Sequence, residues 1–69
     1  MKHFAEFDTP TGTMFASFDA LRLANAAARD FVIATRLTAT AYSHNKEGHA
    51  IRRTAFRLNR KGKIEACKF

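Results

Sequence analysis

Apolar and polar positions alternate at the start of the chain. The alternation runs from His3 to Asp8, is interrupted by Pro10 and Gly12, and resumes over residues 13 to 18. Period-two alternation is typical of half-buried strands, and Pro and Gly at short spacing indicate a turn. The opening therefore predicts a hairpin of two strands.

The hydrophobic period then changes from strand-like to helical. Five alanines between residues 20 and 28 favour a helix, and Ser17 or Asp19 could serve as its N-cap. No glycine marks the C-terminus, so the helix is expected to end between Asp30 and Ala34, with residues 31 to 34 either finishing it or beginning a buried segment. The predicted buried face comprises Ala20, Leu23, Ala24, Ala27 and Phe31, widened by Leu21 and Ala28.

Alternation returns from Arg36 to His44, followed by a predicted loop at residues 45 to 48, a strand at 49 to 58, a turn at 59 to 63 and a last strand at 64 to 69. Leu37, Ala39 and Ala41 would share one face, whereas the other would carry Arg36, Thr38, Thr40, Tyr42 and His44. The predicted fold is α+β, a single domain of residues 1 to 69. It has one antiparallel sheet of about five strands in the order β-β-α-β-β-β, with the helix on one face and solvent on the other.

Arg52 does not fit simple alternation, which would bury it beside Phe56. A β-bulge at Arg52 and Arg53 would place Ile51 and Phe56 on the same side of the sheet and leave both arginines accessible. We therefore predict an irregularity there. Four residues of this strand are assigned to the core: Ile51, Ala55, Phe56 and Leu58.

Length and composition restrict the class of protein. A chain of 69 residues buries only about 60% of the surface that its unfolded chain exposes, which does not favour a deep catalytic pocket. No apolar run is long enough to cross a bilayer, and the N-terminal residues lack the apolar stretch of a secretory signal. Cys67 is the single cysteine, and we interpret it as a small apolar residue of the last strand. These features favour a cytoplasmic protein.

Candidate catalytic and metal-binding residues are few. Ser43 and His44 are neighbours on a strand and would point to opposite faces, while Glu6 and Asp8 are interpreted as solvated. His44, His49 and Cys67 lack the short paired spacing of zinc ligands. Gly62 is a turn residue, since a phosphate-binding loop needs several glycines before a Lys. We expect no catalytic activity, no metal and no cofactor.

Charge is distributed unevenly along the chain. Residues 1 to 31 contain three Lys and Arg against four Asp and Glu, a net of −1, whereas residues 32 to 69 contain nine against two, a net of +7. A field of one sign speeds encounter with partners of the other sign. The predicted partner-binding residues are Arg36, Tyr42, Arg52, Arg53, Arg57, Arg60, Lys61 and Lys63.

The layout resembles a known family. A two-stranded start with Gly12 and Thr13 opening the second strand, an Ala-rich helix and a closing meander that carries TAFRLNRKGKIEAC resemble small phage anti-CRISPR proteins that act on type I surveillance complexes. The resemblance implies a non-enzymatic inhibitor that occupies a surface of a nucleoprotein complex. It also implies that the region of Arg57 and Lys63 is worth testing.

Three functional hypotheses follow. The first is a phage or mobile-element inhibitor that binds a host protein or ribonucleoprotein complex through an acidic or RNA-bearing surface. The second is a small protein that binds DNA or RNA directly and contacts phosphates with the same residues. The third is an antitoxin or subunit that folds fully only as an oligomer. We expect no membrane partner, and either a monomer or a homodimer.

Overall fold

The computed structural model describes residues 1 to 68 and confirms the predicted α+β fold class, with five strands and one helix. The elements are β1 (Lys2–Thr9), β2 (Gly12–Phe18), α1 (Leu21–Thr35), β3 (Ala39–His44), β4 (Ala50–Leu58) and β5 (Ile64–Lys68). The prediction of a last strand extended to Phe69, which lies outside the described residues. No helix in residues 1 to 68 is long and apolar enough to span a membrane.

The five strands form one antiparallel sheet in the order β2-β1-β3-β4-β5. The N-terminal hairpin is confirmed, with Thr9 opposite Gly12 around the turn at residues 10 and 11. Because β3 pairs with β1 rather than with β2, the strand that precedes it in the chain, α1 connects β2 to β3 by crossing over β1. Consequently β2 and β5 are the two edges.

Small residues bring the helix close to the sheet. Ala24, Ala28 and Val32 of α1 are fully buried and belong to one core cluster with Ala5 of β1, two alanines of β3 and Phe56 of β4. Alanine adds little side-chain bulk between the layers, so larger residues fill the margins of this cluster. Those residues are Phe7, Phe18, Leu21, Phe31, Leu58 and Ile64.

Both predicted helix ends are wrong in detail. Ala20 is the N-cap and no side chain caps the first turn, so neither Ser17 nor Asp19 has that role. The helix ends at Thr35, one residue beyond the predicted range, because Val32 continues the buried stripe. Arg36 then adopts a left-handed conformation, with φ of 62°, and its backbone N–H donates to the Val32 carbonyl oxygen at 2.8 Å.

The helix also faces the sheet differently from the prediction. The buried stripe runs through Ala24, Ala28 and Val32, whereas Leu23 is 39% exposed. The sequence pattern alone could not fix this rotation, since apolar residues surround much of the helix. Arg36 caps the helix and β3 begins only at Ala39, so Arg36 does not share a sheet face with Tyr42.

The predicted bulge in β4 is confirmed. The pairing of β3 with β4 shifts register between Ala41 and Ser43, so two residues of β4, Arg52 and Arg53, oppose one of β3. Arg52 has a φ of 54°, the left-handed value that one position of such bulges adopts.

One assignment of a small residue to the core is wrong. Ala55 pairs with Thr40 and with Cys67, so it lies on the face away from the helix. Cys67 lies on the last strand, as predicted, and is an exposed free thiol on that same face.

Candidate partner-binding surface

The turn between β4 and β5, residues 59 to 63, is organised by one side chain. Asn59 Oδ1 accepts hydrogen bonds from the backbone N–H groups of Lys61 and Lys63, at 2.9 and 3.0 Å. The Asn59 N–H donates to the Lys63 carbonyl oxygen at 2.8 Å, and Gly62 donates to the Asn59 carbonyl oxygen at 3.0 Å. We call these five residues the Asn59 loop.

The loop between β3 and β4, residues 45 to 49, has the same construction. Asn45 Oδ1 accepts from the N–H groups of Glu47 and His49, each at 3.0 Å. The Asn45 N–H donates to the His49 carbonyl oxygen at 3.1 Å, and Gly48 donates to the Asn45 carbonyl oxygen at 3.0 Å. Gly48 and Gly62 both have positive φ, at 83° and 77°. We call these residues the Asn45 loop.

The two loops differ in charge. The Asn45 loop carries one Lys and one Glu, and Glu47 lies 3.6 Å from the ring of His49. The Asn59 loop carries Arg60, Lys61 and Lys63 and no acidic residue; we call these three residues the tip cations. All three are exposed. The two loops share an Asn-x-x-Gly-x pattern, a signal in the sequence from which their common structure could have been predicted.

Residues 50 to 68, which we call the basic hairpin, contain all of the net charge. They include seven Lys and Arg and one Glu, which equals the formal net charge of +6 for the whole chain. The other five Lys and Arg are balanced by five Asp and Glu. The basic hairpin is therefore the part of the molecule that an anionic partner would meet.

Arg57 lies on β4 just before the Asn59 loop, and its side chain is oriented by Glu65. Its Nε and one terminal nitrogen each lie 3.3 Å from a carboxylate oxygen of Glu65, across the β4–β5 pairing. Both side chains remain substantially exposed, so the pair adds little stability but fixes the direction of the guanidinium. A depression of about 560 Å³ is lined here by Arg57, Leu58, Asn59, Arg60, Lys61 and Glu65.

A second group of cations lies at the other end of the basic hairpin. Arg52 and Arg53 at the bulge and Lys68 on β5 line a smaller depression of about 290 Å³, together with Leu21, Asn25 and Thr54. The bulge thus keeps both arginines at the surface, as predicted, and both are exposed. Six of the eight predicted binding residues lie on the basic hairpin: Arg52, Arg53, Arg57, Arg60, Lys61 and Lys63.

The structure places Arg36 and Tyr42 elsewhere. Arg36 caps the helix, and Tyr42 is only 9% exposed. Phe4 and His44 cover the Tyr42 ring, with centroids at 5.7 and 5.3 Å. Little of the ring is therefore accessible, so Tyr42 differs from the accessible anchor that the sequence predicted.

Burial changes the chemistry of Tyr42. Loss of solvent raises the pKa of its phenol above the ordinary value of 10.0, and the negative charge of Glu6 raises that pKa further. Glu6 shares this sheet face, as does Asp8, whose carboxylate accepts a hydrogen bond from the Thr38 hydroxyl. The sheet face is therefore mixed in charge, and the cationic surface follows the edge and the turn.

Two observations concern the residues considered for metal binding and catalysis. Residues 1 to 68 contain no cluster of three or more His, Cys, Asp or Glu suited to a metal ion. The Ser43 hydroxyl lies 2.7 Å from His3 Nδ1, a contact that sequence analysis missed because the two residues are far apart in the chain. Ser43 is fully buried, so this hydrogen bond satisfies a polar group in the core.

Comparison of the chain with protein-family models, curated proteins and solved structures finds no match. The site must therefore be interpreted from its own geometry.

Proposed function

We propose that this chain is a small non-enzymatic binding protein that blocks a host defence protein or nucleoprotein complex, in the manner of the type I anti-CRISPR proteins it resembles. One observation carries the proposal. The Asn59 loop has three cations that the turn does not need, because the Asn45 loop builds the same turn with no net charge. The tip cations are therefore best explained by a partner.

The position of the cations favours contact with the partner through the tip of the basic hairpin rather than through the open face of the sheet. The tip cations extend from one end of the sheet, and Arg57 is held beside them by Glu65. Glu6 and Asp8 on the open sheet face would oppose an anionic surface lying across it. An acidic protein surface or an RNA-bearing surface could instead contact the tip, where arginine and lysine are densest.

In the proposed mechanism, the protein inhibits its partner by occupying a surface that the partner needs. A chain of 69 residues can cover a functional surface of a larger complex without doing chemistry on it, and arginine is well suited to pair with carboxylate or phosphate through its planar donors. The protein would then act stoichiometrically in the cytoplasm of the host cell.

The test is a phage plating assay in a host whose type I CRISPR system targets the phage. Expression of the chain should restore plating, and the variant R60K/K61E/K63H, which gives the Asn59 loop the residues of the Asn45 loop, should restore it at least tenfold less. The variant must match the original protein in cellular abundance and in far-ultraviolet circular dichroism. Failure of the original chain to restore plating would refute the proposed inhibition.

Direct nucleic-acid binding is the second candidate, favoured by the length of the cationic edge. Strands rise about 3.3 Å per residue, so the seven residues from Arg53 at the bulge to Arg60 at the tip span roughly 23 Å. Cations spread over such a distance could follow several phosphates of one backbone.

Salt dependence distinguishes the two candidates. Phosphate binding should weaken steeply between about 50 and 200 mM salt, with a slope that falls by about one unit for each contacting cation removed. Purified protein would be titrated against single-stranded and duplex DNA and RNA. Absence of binding at the lowest salt would exclude this candidate and leave the inhibitor proposal intact.

A further inference from the structure

Edge strand β2 lacks the features that usually prevent strands from pairing with other chains. Residues 12 to 18 contain no charged residue and no proline, and their pairing with β1 has no bulge. Met14 and Phe15 are 62% and 63% exposed. They lie on opposite faces of the sheet, since neighbouring residues on a strand alternate.

The hydrogen-bonding groups of β2 that face outward can be identified from β1. The Asp8 N–H donates to the Thr38 carbonyl oxygen at 3.0 Å, on the β3 side of the strand. Alternation along β1 then directs the backbone groups of Ala5 and Phe7 toward β2, where they pair with Ala16 and Met14. The N–H and C=O groups of Thr13, Phe15 and Ser17 consequently point to the open edge.

By comparison, β5 at the opposite edge is protected against pairing with another chain. β5 has five residues, and Glu65 and Lys68 lie on it. A short, charged edge strand discourages pairing with another strand. The difference between the two edges singles out β2.

We propose that β2 pairs antiparallel with β2 of a second copy of this chain, across a two-fold axis at Phe15. This register places Phe15 opposite Phe15 and Thr13 opposite Ser17, so that all three outward-facing residues of each strand form hydrogen-bonded pairs, on the order of six hydrogen bonds in total. The two Phe15 rings meet on the face away from the helices, where aromatic cross-strand pairs are stabilising. Both helices lie on the other face of one ten-stranded sheet.

The distribution of charge along the sheet permits a second copy as the partner at this edge, because residues 12 to 18 carry no charge. Two chains of net charge +6 repel each other, but β2 is the strand farthest from the basic hairpin. With strands about 4.8 Å apart, the two β5 strands of the dimer would be about 43 Å apart. That separation is several times the Debye length of about 8 Å at physiological salt, so repulsion between the basic hairpins is screened. The dimer would present one basic hairpin at each end.

Sedimentation velocity and light scattering across a range of protein concentrations test the inference. The molar mass should rise from the monomer value of 7.8 kDa toward twice that value and no further. Phe15→Lys should raise the dissociation constant more than tenfold, because it places like charges opposite each other. Ser17→Pro should also raise it, since proline removes an outward N–H that β1 does not use.

Ile33→Lys is the matched control. Ile33 is 52% exposed on α1, so the substitution adds the same charge away from the edge and should leave the dimer intact. Circular dichroism must show that every variant is folded. A strict monomer at all concentrations, an assembly larger than a dimer, or a dimer that tolerates both β2 substitutions would overturn the inference.

Discussion

The Asn45 and Asn59 loops share a backbone and differ in charge. In each, an asparagine side chain accepts two backbone N–H groups and a glycine with positive φ closes the turn. The positions between them hold Lys and Glu in one loop and Arg and Lys in the other. The comparison teaches that Asn and Gly specify this turn, while the intervening side chains are free to serve another purpose.

The two loops also lie at opposite ends of β4. The Asn45 loop is therefore an internal control for the Asn59 loop: it has the same local stability requirements, in the same sheet, at a different place. Changes to asparagine or glycine should affect both loops alike. Changes to charge should matter at one loop only.

The largest expected effect comes from exchanging the charges of the two loops. The variant R60K/K61E/K63H combined with K46R/E47K/H49K keeps the net charge at +6 but moves the cations to the other end of β4. We expect partner binding to weaken by roughly 10- to 100-fold, or about 1–3 kcal/mol, because the attraction depends on where the charges lie. Binding would be measured by calorimetry or surface plasmon resonance on a partner first isolated from nuclease-treated host lysate by its affinity for this chain.

We call this six-substitution variant the exchanged protein. If its affinity for the partner were unchanged, net charge alone, and not the Asn59 loop, would attract the partner. The unfolding midpoint in urea serves as the control and should stay near that of the original chain. The variant K46R/E47K/H49K alone should bind at least as well as the original chain.

The next effect concerns the asparagines. Asn45→Ala and Asn59→Ala each remove an acceptor for two backbone N–H groups, and each should lower the free energy of unfolding by about 1–2 kcal/mol. Urea denaturation followed by circular dichroism measures the loss. Asn59→Asp keeps the accepting oxygens and should cost much less. A large cost at one loop with none at the other would show that the two turns are not equivalent in solution.

The fold could largely be predicted from the sequence, because the hydrophobic period changes clearly at each boundary. Arg52 was informative even though it broke the alternation, since a bulge was the simplest way to keep a charged side chain out of the core. Leu23 and Ala55 were misplaced for a common reason: alanine and leucine are compatible with either face, so the pattern does not determine which face packs.

The positions of the candidate binding residues could be predicted in part. Basic residues close in sequence remained close in space because one hairpin carries them. Arg36 was misassigned because a left-handed helix cap has no strong sequence signal when the residue is not glycine. Tyr42 was misjudged because its covering residue Phe4 comes from a strand distant in sequence, and such pairings cannot be read from local pattern.

The glycines should show a smaller effect than the asparagines. Gly48→Ala and Gly62→Ala would each place a side chain at positive φ, at a cost of about 1 kcal/mol. No atom lies within 4 Å of the added Cβ at either position, so the cost is one of backbone conformation and should be equal in the two loops. Gly→Asn at the same positions should cost less, since asparagine tolerates this conformation. Thermal unfolding of the four variants checks both expectations, and a Gly62→Ala variant as stable as the original would contradict the assigned turn.

The smallest expected effect is a change in the ionisation of Tyr42, which lies three residues before Asn45 and is the single tyrosine of the chain. Burial and Glu6 raise its pKa in the folded protein, so the unfolded chain loses the phenolic proton first as the pH rises. The stability contributed by neutral Tyr42 is therefore complete below the unfolded pKa near 10.0 and falls as the pH rises above it.

Ultraviolet absorbance of the phenolate should give a higher titration midpoint in buffer than in concentrated urea. Glu6→Gln should reduce the difference between the two midpoints without removing it, since burial is the larger cause. In the exchanged protein, cations near the Asn45 loop should favour the phenolate and lower the folded midpoint. The variant R60K/K61E/K63H alone should leave the midpoint unchanged, because the Asn59 loop lies at the far end of β4, beyond a Debye length at a rise of about 3.3 Å per residue. Equal midpoints in buffer and in urea would show that Tyr42 is accessible in solution, which would restore it as a candidate for partner contact beside the neutral loop.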